Sequence, residues 1–379
     1  MSRDRGESHR RSVLDDKIRI SYEHAAAPDC IDIDEARRST YHIRVNQETR
    51  RLTITNHRVV RVDLTPLSRY ADLAGVTLRG TCLDSIDLSP LAHCTGLTEL
   101  DLSRNVLREV DLSPLAHCTQ LVELDLRDNE LEHIDLSPLG GCTGLEHLYL
   151  GGNNLREVDL SPLAGCTRLE HLYLGGNNLR EIDLGPLAGC TSLVRLYLNG
   201  NELREIDLGP LAGCTRLTHL SLSDNQLEEI DLGPLADCMS LARLHLSRNR
   251  LYSLDLSPLA SCTSLTKLSL SDNGLQEVDL SPLAGCIRLE RLYLEGNQLR
   301  ELDLGPLASC VRLSGFYLKG SPLRKVDVIP LITCRGLIVF DVDDVRVVCD
   351  RARFSAMDKK LVNFTQRFPR RIYDWVEWY

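Results

Sequence analysis

Apolar residues recur along this chain in one fixed pattern. From Leu145, the 24 residues LEHLYLGGNNLREVDLSPLAGCTR are followed at once by LEHLYLGGNNLREIDLGPLAGCTS. Only three positions differ: Val158 against Ile182, Ser161 against Gly185, and Arg168 against Ser192. Counting the first Leu as 1, apolar residues fall at positions 1, 4, 6, 11, 14, 16 and 19. Twelve such units run from residue 49 to residue 336, and a partial thirteenth starts at Leu337. A repeat of this length dictates the architecture ahead of any single residue.

Positions 3 to 7 alternate polar and apolar, as in His147-Leu148-Tyr149-Leu150, which predicts a half-buried strand. Position 9 is Asn in nine consecutive units, Asn105 to Asn297. Its side chain can satisfy backbone groups that a bend leaves unpaired, so the chain is expected to turn there. Ser-Pro or Gly-Pro at positions 17 and 18 reads as an N-cap followed by a first helical proline, and predicts one helical turn over positions 18 to 22. One unit cannot bury its own apolar edge, so neighbours must stack. The expected product is an α/β solenoid, with a continuous parallel sheet on one face and short helical turns on the other.

The run Leu-x-x-Leu-x-Leu-x-x-Asn-x-Leu, for example LTELDLSRNVL from Leu97 to Leu107, resembles the signature of the leucine-rich repeat family over about three quarters of the chain. The second half of each unit, IDLSPLAxCTx, departs from the plant receptor version with its Gly-x-Ile-Pro segment, and from the longer ribonuclease-inhibitor type. It is more similar to uncharacterised cytoplasmic prokaryotic repeats. The resemblance implies a leucine-rich repeat arc whose concave sheet binds other proteins, with no catalytic activity and no cofactor.

The flanks define the remaining segments: a disordered tail at 1–16, an N-terminal cap at 17–48, the solenoid at 49–336 and a C-terminal cap at 337–379. In the first cap KIRISY and YHIRV alternate, which predicts two short strands hiding the open end of the sheet. In the second, Phe340-Asp341-Val342 starts a last strand and residues 355–368 read as an amphipathic helix, ahead of an aromatic tail with both tryptophans. The chain carries −10 formally. The solenoid at 49–336 itself holds −10, with 27 Lys or Arg against 37 Asp or Glu, a sign that disfavours nucleic acid. The N-terminus has no apolar core of a secretory signal, and no apolar run approaches the roughly 20 residues of a membrane span. The flanks carry only Cys30 and Cys349, unlike cysteine-rich extracellular caps, so a cytoplasmic location is expected.

Candidate chemistry sits at positions 3 and 5, two stripes on the exposed side of the sheet. They read Glu99/Asp101 and Glu123/Asp125, then His147/Tyr149, His171/Tyr173 and Arg195/Tyr197, then His219/Ser221 and Arg243/His245. An acidic patch thus passes into an aromatic and basic one. Tyr and Arg are favoured at interface hot spots, and copying of a duplicated unit with cross-strand stacking is the plainer explanation. His147 and His171 lie on adjacent strands, but the next residue in the stripe is Arg195, which opposes a metal. Asp recurs at position 15 in all twelve units, from Asp63 to Asp327, with backbone N–H groups of the following turn and the Arg at position 12 expected to offset the repulsion; no calcium site is expected. The Cys ladder at position 22, Cys94 to Cys334, predicts free buried thiols. Phosphate-binding, zinc-protease and serine-hydrolase motifs are absent from the sequence.

The sequence therefore predicts a non-catalytic scaffold binding a partner protein across the concave sheet. Tyr149, Tyr173, Tyr197, His147, His171 and Arg195 form the expected centre, and Glu99, Asp101, Glu123 and Asp125 are expected to steer a basic region of the partner. Self-association through the solenoid ends or the aromatic tail is the alternative.

Overall fold

The computed structural model describes residues 17–23, 38–44, 49–55, 59–342, 346–349 and 376–378. Its main element is one parallel sheet of thirteen strands forming an open arc, from Arg51–Thr55 at one edge to Val339–Asp341 at the other. At about 4.8 Å per interval the sheet runs about 58 Å. Every strand pairs in register with its copy one coil on, so Leu148 opposes Leu172 and Leu172 opposes Leu196. Position 4 points inward and is fully buried throughout, as at Leu148, Leu172 and Leu220. Opposite the sheet, each coil makes one short 3₁₀ helix, such as Ser161–Gly165 and Gly185–Gly189, that turns Leu163 or Leu187 inward.

These turns start one residue earlier than expected, and Ser is not their cap. The capping position is Leu160 in the unit at Leu145, with no side-chain bond to the helix. The carboxylate at position 15 does that work instead. In all twelve coils its Oδ1 accepts the backbone N–H of position 17, at 2.7 to 3.0 Å. The bond closes a small loop that pre-shapes the entry into the turn. Hydrogen bonds from the following serine hold Asp87, Asp159, Asp255 and Asp279 below the ordinary carboxylate range. The Arg at position 12 serves a different partner than expected. Arg108 and Arg180 donate to Glu130 and Glu202 of the next coil, at 3.1 and 3.0 Å.

The Asn ladder stitches coil to coil. Asn177 Nδ2 donates to its own coil's Leu174 carbonyl at 2.9 Å and to Leu150 of the preceding coil at 3.1 Å. Its Oδ1 accepts the Leu155 N–H at 3.1 Å. One buried amide therefore satisfies three buried backbone groups. Just before it, position 8 takes the left-handed conformation in coil after coil: φ is 59° at Arg104, 55° at Asp128 and 68° at Gly152. The next position up, Gly151, has no room for a side chain, since a Cβ there would lie 2.8 Å from the Gly175 carbonyl oxygen.

Cys94 to Cys334 are all buried and free, and burial pushes thiols such as Cys214 and Cys238 up to about 11 and about 12. Most also donate weakly to the carbonyl of the cysteine one coil back, at 3.5 Å for Cys142 on Cys118. Cys82, outside the ladder, is disulfide-bonded.

At the N-terminal end Lys17–Glu23 pairs antiparallel with Arg38–Arg44, the two expected strands. They join Val59–Asp63 on the return side of the first coil rather than the edge strand Arg51–Thr55. At the other end Lys325–Asp327, Arg346–Cys349 and Val376–Trp378 form a small parallel sheet, so the aromatic tail supplies a strand. The predicted tail at 1–16 and helix at 355–368 lie outside the described residues.

Candidate protein-recognition surface

Positions 3 and 5 of the sheet stand side by side on strands only three residues long, such as His147–Tyr149 and His171–Tyr173. Register brings like positions together: His147 opposes His171 and Tyr149 opposes Tyr173, then Arg195 follows His171 and Tyr197 follows Tyr173. His219 and Arg243 continue the first stripe; Ser221 and His245 continue the second.

The acidic end differs from the expectation. Asp101 and Asp125 are 8% and 2% exposed rather than open to solvent. Asp101 accepts the Ser103 hydroxyl at 2.6 Å and its N–H at 2.9 Å. Asp125 accepts the Arg127 N–H at 3.0 Å and holds its guanidinium through both oxygens, at 3.0 and 2.6 Å. A short carboxylate two residues before an N–H folds back onto it, so these two groups shape the bend after the strand. Glu99 pairs with Arg51. Among the described residues Glu123 has no such partner, and burial together with Glu99 and Asp125 raises its pKa.

In the centre the aromatic rings make one continuous ladder. Tyr149 meets Tyr173 edge-to-face at 4.8 Å, and Tyr173 meets Tyr197 the same way at 4.4 Å. His147 and His171 sit 4.6 Å apart, and the Tyr149 hydroxyl lies 3.2 Å from His171 Nδ1. Burial pushes the Tyr149 hydroxyl up to about 12. Burial, with His147 and Arg195 beside it, lowers His171. Two polar atoms here are buried with no hydrogen-bond partner, His147 Nδ1 and Arg195 Nε. Among the described residues no group of three or more His, Cys, Asp or Glu side chains is placed to hold a metal ion.

Sequence reasoning missed Arg127, whose guanidinium lies 4.4 Å over the Tyr149 ring and joins the acidic end to the aromatic centre. Its position 7 lies just beyond the alternating strand residues, and the Asp two residues before it was the available signal. A second aromatic pair, Tyr293 and Tyr317, stacks at 4.5 Å further along, with Lys267 at 5.0 Å from the Tyr293 ring. No helix among the described residues is long and apolar enough to cross a membrane.

Comparison with known proteins agrees with this architecture. A leucine rich repeat model matches residues 119–179, 143–203 and 191–251, and a two-copy leucine rich repeat model matches 263–309. An internalin of Listeria monocytogenes is 28% identical, with 80% of this chain and 86% of that one covered and a TM-score of 0.66. A leucine-rich repeat protein of Leptospira interrogans is 18% identical, covers 88% and 84%, and has a TM-score of 0.73. A plant peptide hormone receptor solved in complex with RGF2 is 20% identical over 76% of this chain and 46% of its own, with a TM-score of 0.68. No curated protein sequence matches. Repeat signature, stacked parallel coils and these likenesses agree: the chain belongs to the leucine-rich repeat family.

Proposed function

We propose that this protein is a scaffold without catalysis of its own, binding a partner protein across the concave sheet. The observation that carries the reading is the half-buried ladder Tyr149–Tyr173–Tyr197, flanked by the unpartnered His147 Nδ1 and Arg195 Nε. Three rings already locked against one another lose little freedom on binding. His219, Arg243 and His245 extend the surface. Steering of a basic region of the partner falls to Glu123, since the other three acids are engaged in the free chain. A protein partner suits the family; a nucleic acid does not suit a solenoid of net −10.

Affinity capture from native lysate tests this, with wild type beside Tyr149→Ala/Tyr173→Ala/Tyr197→Ala and matched thermal melts. A protein held by wild type and lost by the variant supports the reading; equal retention overturns it. Self-association is favoured by one feature, the exposed Ile338 and Val339 on the last coil, 73% and 37% open. Light scattering that reports a monomer at every concentration removes that alternative. The eleven unpaired ladder thiols support a cytoplasmic location. There the Cys82 disulfide would be open and all fourteen cysteines would titrate after denaturation; a lower count in protein from its native source places the chain in an oxidising compartment.

A further inference from the structure

We propose that the row Arg195, His219, Arg243, Lys267 and Arg291 is a docking track for an extended acidic segment of the partner protein. The proposal rests on the concave-face reading and adds the chemistry of what binds there. The five side chains occupy the same position of five successive strands, paired Arg195 to His219, His219 to Arg243, Arg243 to Lys267 and Lys267 to Arg291. They stand about 4.8 Å apart, well inside the screening length of about 8 Å in physiological salt. The neighbouring stripe supplies Tyr197, Ser221, His245, Ser269 and Tyr293, with no carboxylate.

Several arginines elsewhere are ion-paired: Arg127 holds Asp125, Arg168 holds Glu146 and Arg248 holds Asp224, although among the described residues Arg156, Arg204 and Arg300 are not. Among the described residues no ion pair reaches Arg195, Arg243, Lys267 or Arg291. Arg195 Nε is buried without an acceptor. Arg243 and Arg291 are exposed, while Lys267 leans on the Tyr293 ring. The crowding registers on its members. Burial and the flanking cations hold His219 and His245 down at about 4, and burial with Arg291 and Arg243 lowers Lys267. With His219 neutral between them, the cations Arg195, Arg243, Lys267 and Arg291 have no ion-paired counter-charge among the described residues, and a partner's carboxylates supply it.

Geometry sets the length of the occupant. Four intervals span about 19 Å, which an extended segment of about six residues covers, with every second side chain facing the sheet. Asp or Glu at those alternate places would lie between the guanidinium groups. A longer polyanion is the poorer fit, because beyond the five strands of the row it would run towards Glu123 and the rest of a solenoid of net −10.

Fluorescence anisotropy of the full chain tests this with three labelled probes: a peptide of about twelve residues alternating Glu and Ser, its Lys and Ser counterpart, and single-stranded oligothymidine of about the same length. The Glu–Ser peptide is expected to bind most tightly, and to weaken by about tenfold between about 50 and about 200 mM salt. Arg243→Ser/Arg291→Ser should lose at least about tenfold with an unchanged melt, both residues being exposed. Failure of wild type to bind the Glu–Ser peptide at low salt overturns the proposal, as does equal binding by the double variant or tighter binding of the oligonucleotide. These failures stay separate from those of the scaffold reading. A lysate protein captured through the tyrosines while the acidic peptide does not bind sinks the track and leaves the concave surface standing.

Discussion

Two sets of residues repeat with the coil, and they behave oppositely. Position 9 Asn, position 15 Asp and position 22 Cys hardly change, and each has its polar atoms answered by the backbone of its own or the preceding coil. Positions 3 and 5 change from Glu/Asp to His/Tyr to Arg/His within one sheet of constant geometry. Orphan atoms appear in this second set, at His147 and Arg195, and also outside both sets at Ser271, Glu295 and Ser321. The difference separates what the solenoid needs from what it presents. Where a residue is internally satisfied, its sameness is explained by stacking; where it is left unsatisfied, stacking explains nothing and a partner becomes the economical account.

The comparison breaks most directly at Asn177. Asn177→Ala orphans the Leu155 N–H and takes one of two Asn donors from each of the Leu150 and Leu174 carbonyls, and should cost about 3 kcal/mol in denaturant unfolding. A loss under about 1 kcal/mol would mean that the ladder is not what joins the coils. Tyr173→Ala should cost less, about 1 kcal/mol for two edge-to-face contacts and some buried area, while removing most partner capture. The reverse ranking would make the tyrosines structural.

Acidity sharpens the contrast more gently. His219 and His245 have depressed folded pKa values, about 4 against an ordinary 6.5, so the unfolded chain binds the extra protons between those limits. Their stabilising contribution is present above about 6.5 and is lost as pH falls towards about 4. The melting temperature should therefore decline from pH 6.5 to pH 5, and His219→Gln/His245→Gln should flatten that decline. Calcium should move the melting temperature least, by under about 1 °C, because each ladder carboxylate already accepts a backbone N–H. A reversible rise of several degrees would reassign the Asp ladder.

Much of the fold was legible because period, strand alternation and Asn spacing are local signals. The Asp ladder's backbone bonds were legible too, since a carboxylate close before an N–H has few alternatives. Other features depended on neighbours that the pattern does not display. ELDLS and HLYLG read as the same alternation, yet Asp101 bends back to Ser103 whereas Tyr149 meets Tyr173 across the strand. The position 12 arginines look across to Glu130 and Glu202 on the next coil, a choice set by the offset between coils. The end sheets draw on return-side strands that the strand signature does not mark.

Asn201 donates to Leu174 just as Asn177 donates to Leu150. Each stitch thus reaches back one coil and no further. Excise residues 169–192, and Asn201 would find the Leu150 carbonyl where it now finds Leu174; insert a copy, and the new amide completes both neighbours. Length is therefore a quantity that recombination between near-identical coils can change in whole steps without orphaning a donor. The molecule behaves like a ruler that can be cut or extended at its marks, and the spacing between its acidic end and its basic row is adjustable in units of one coil.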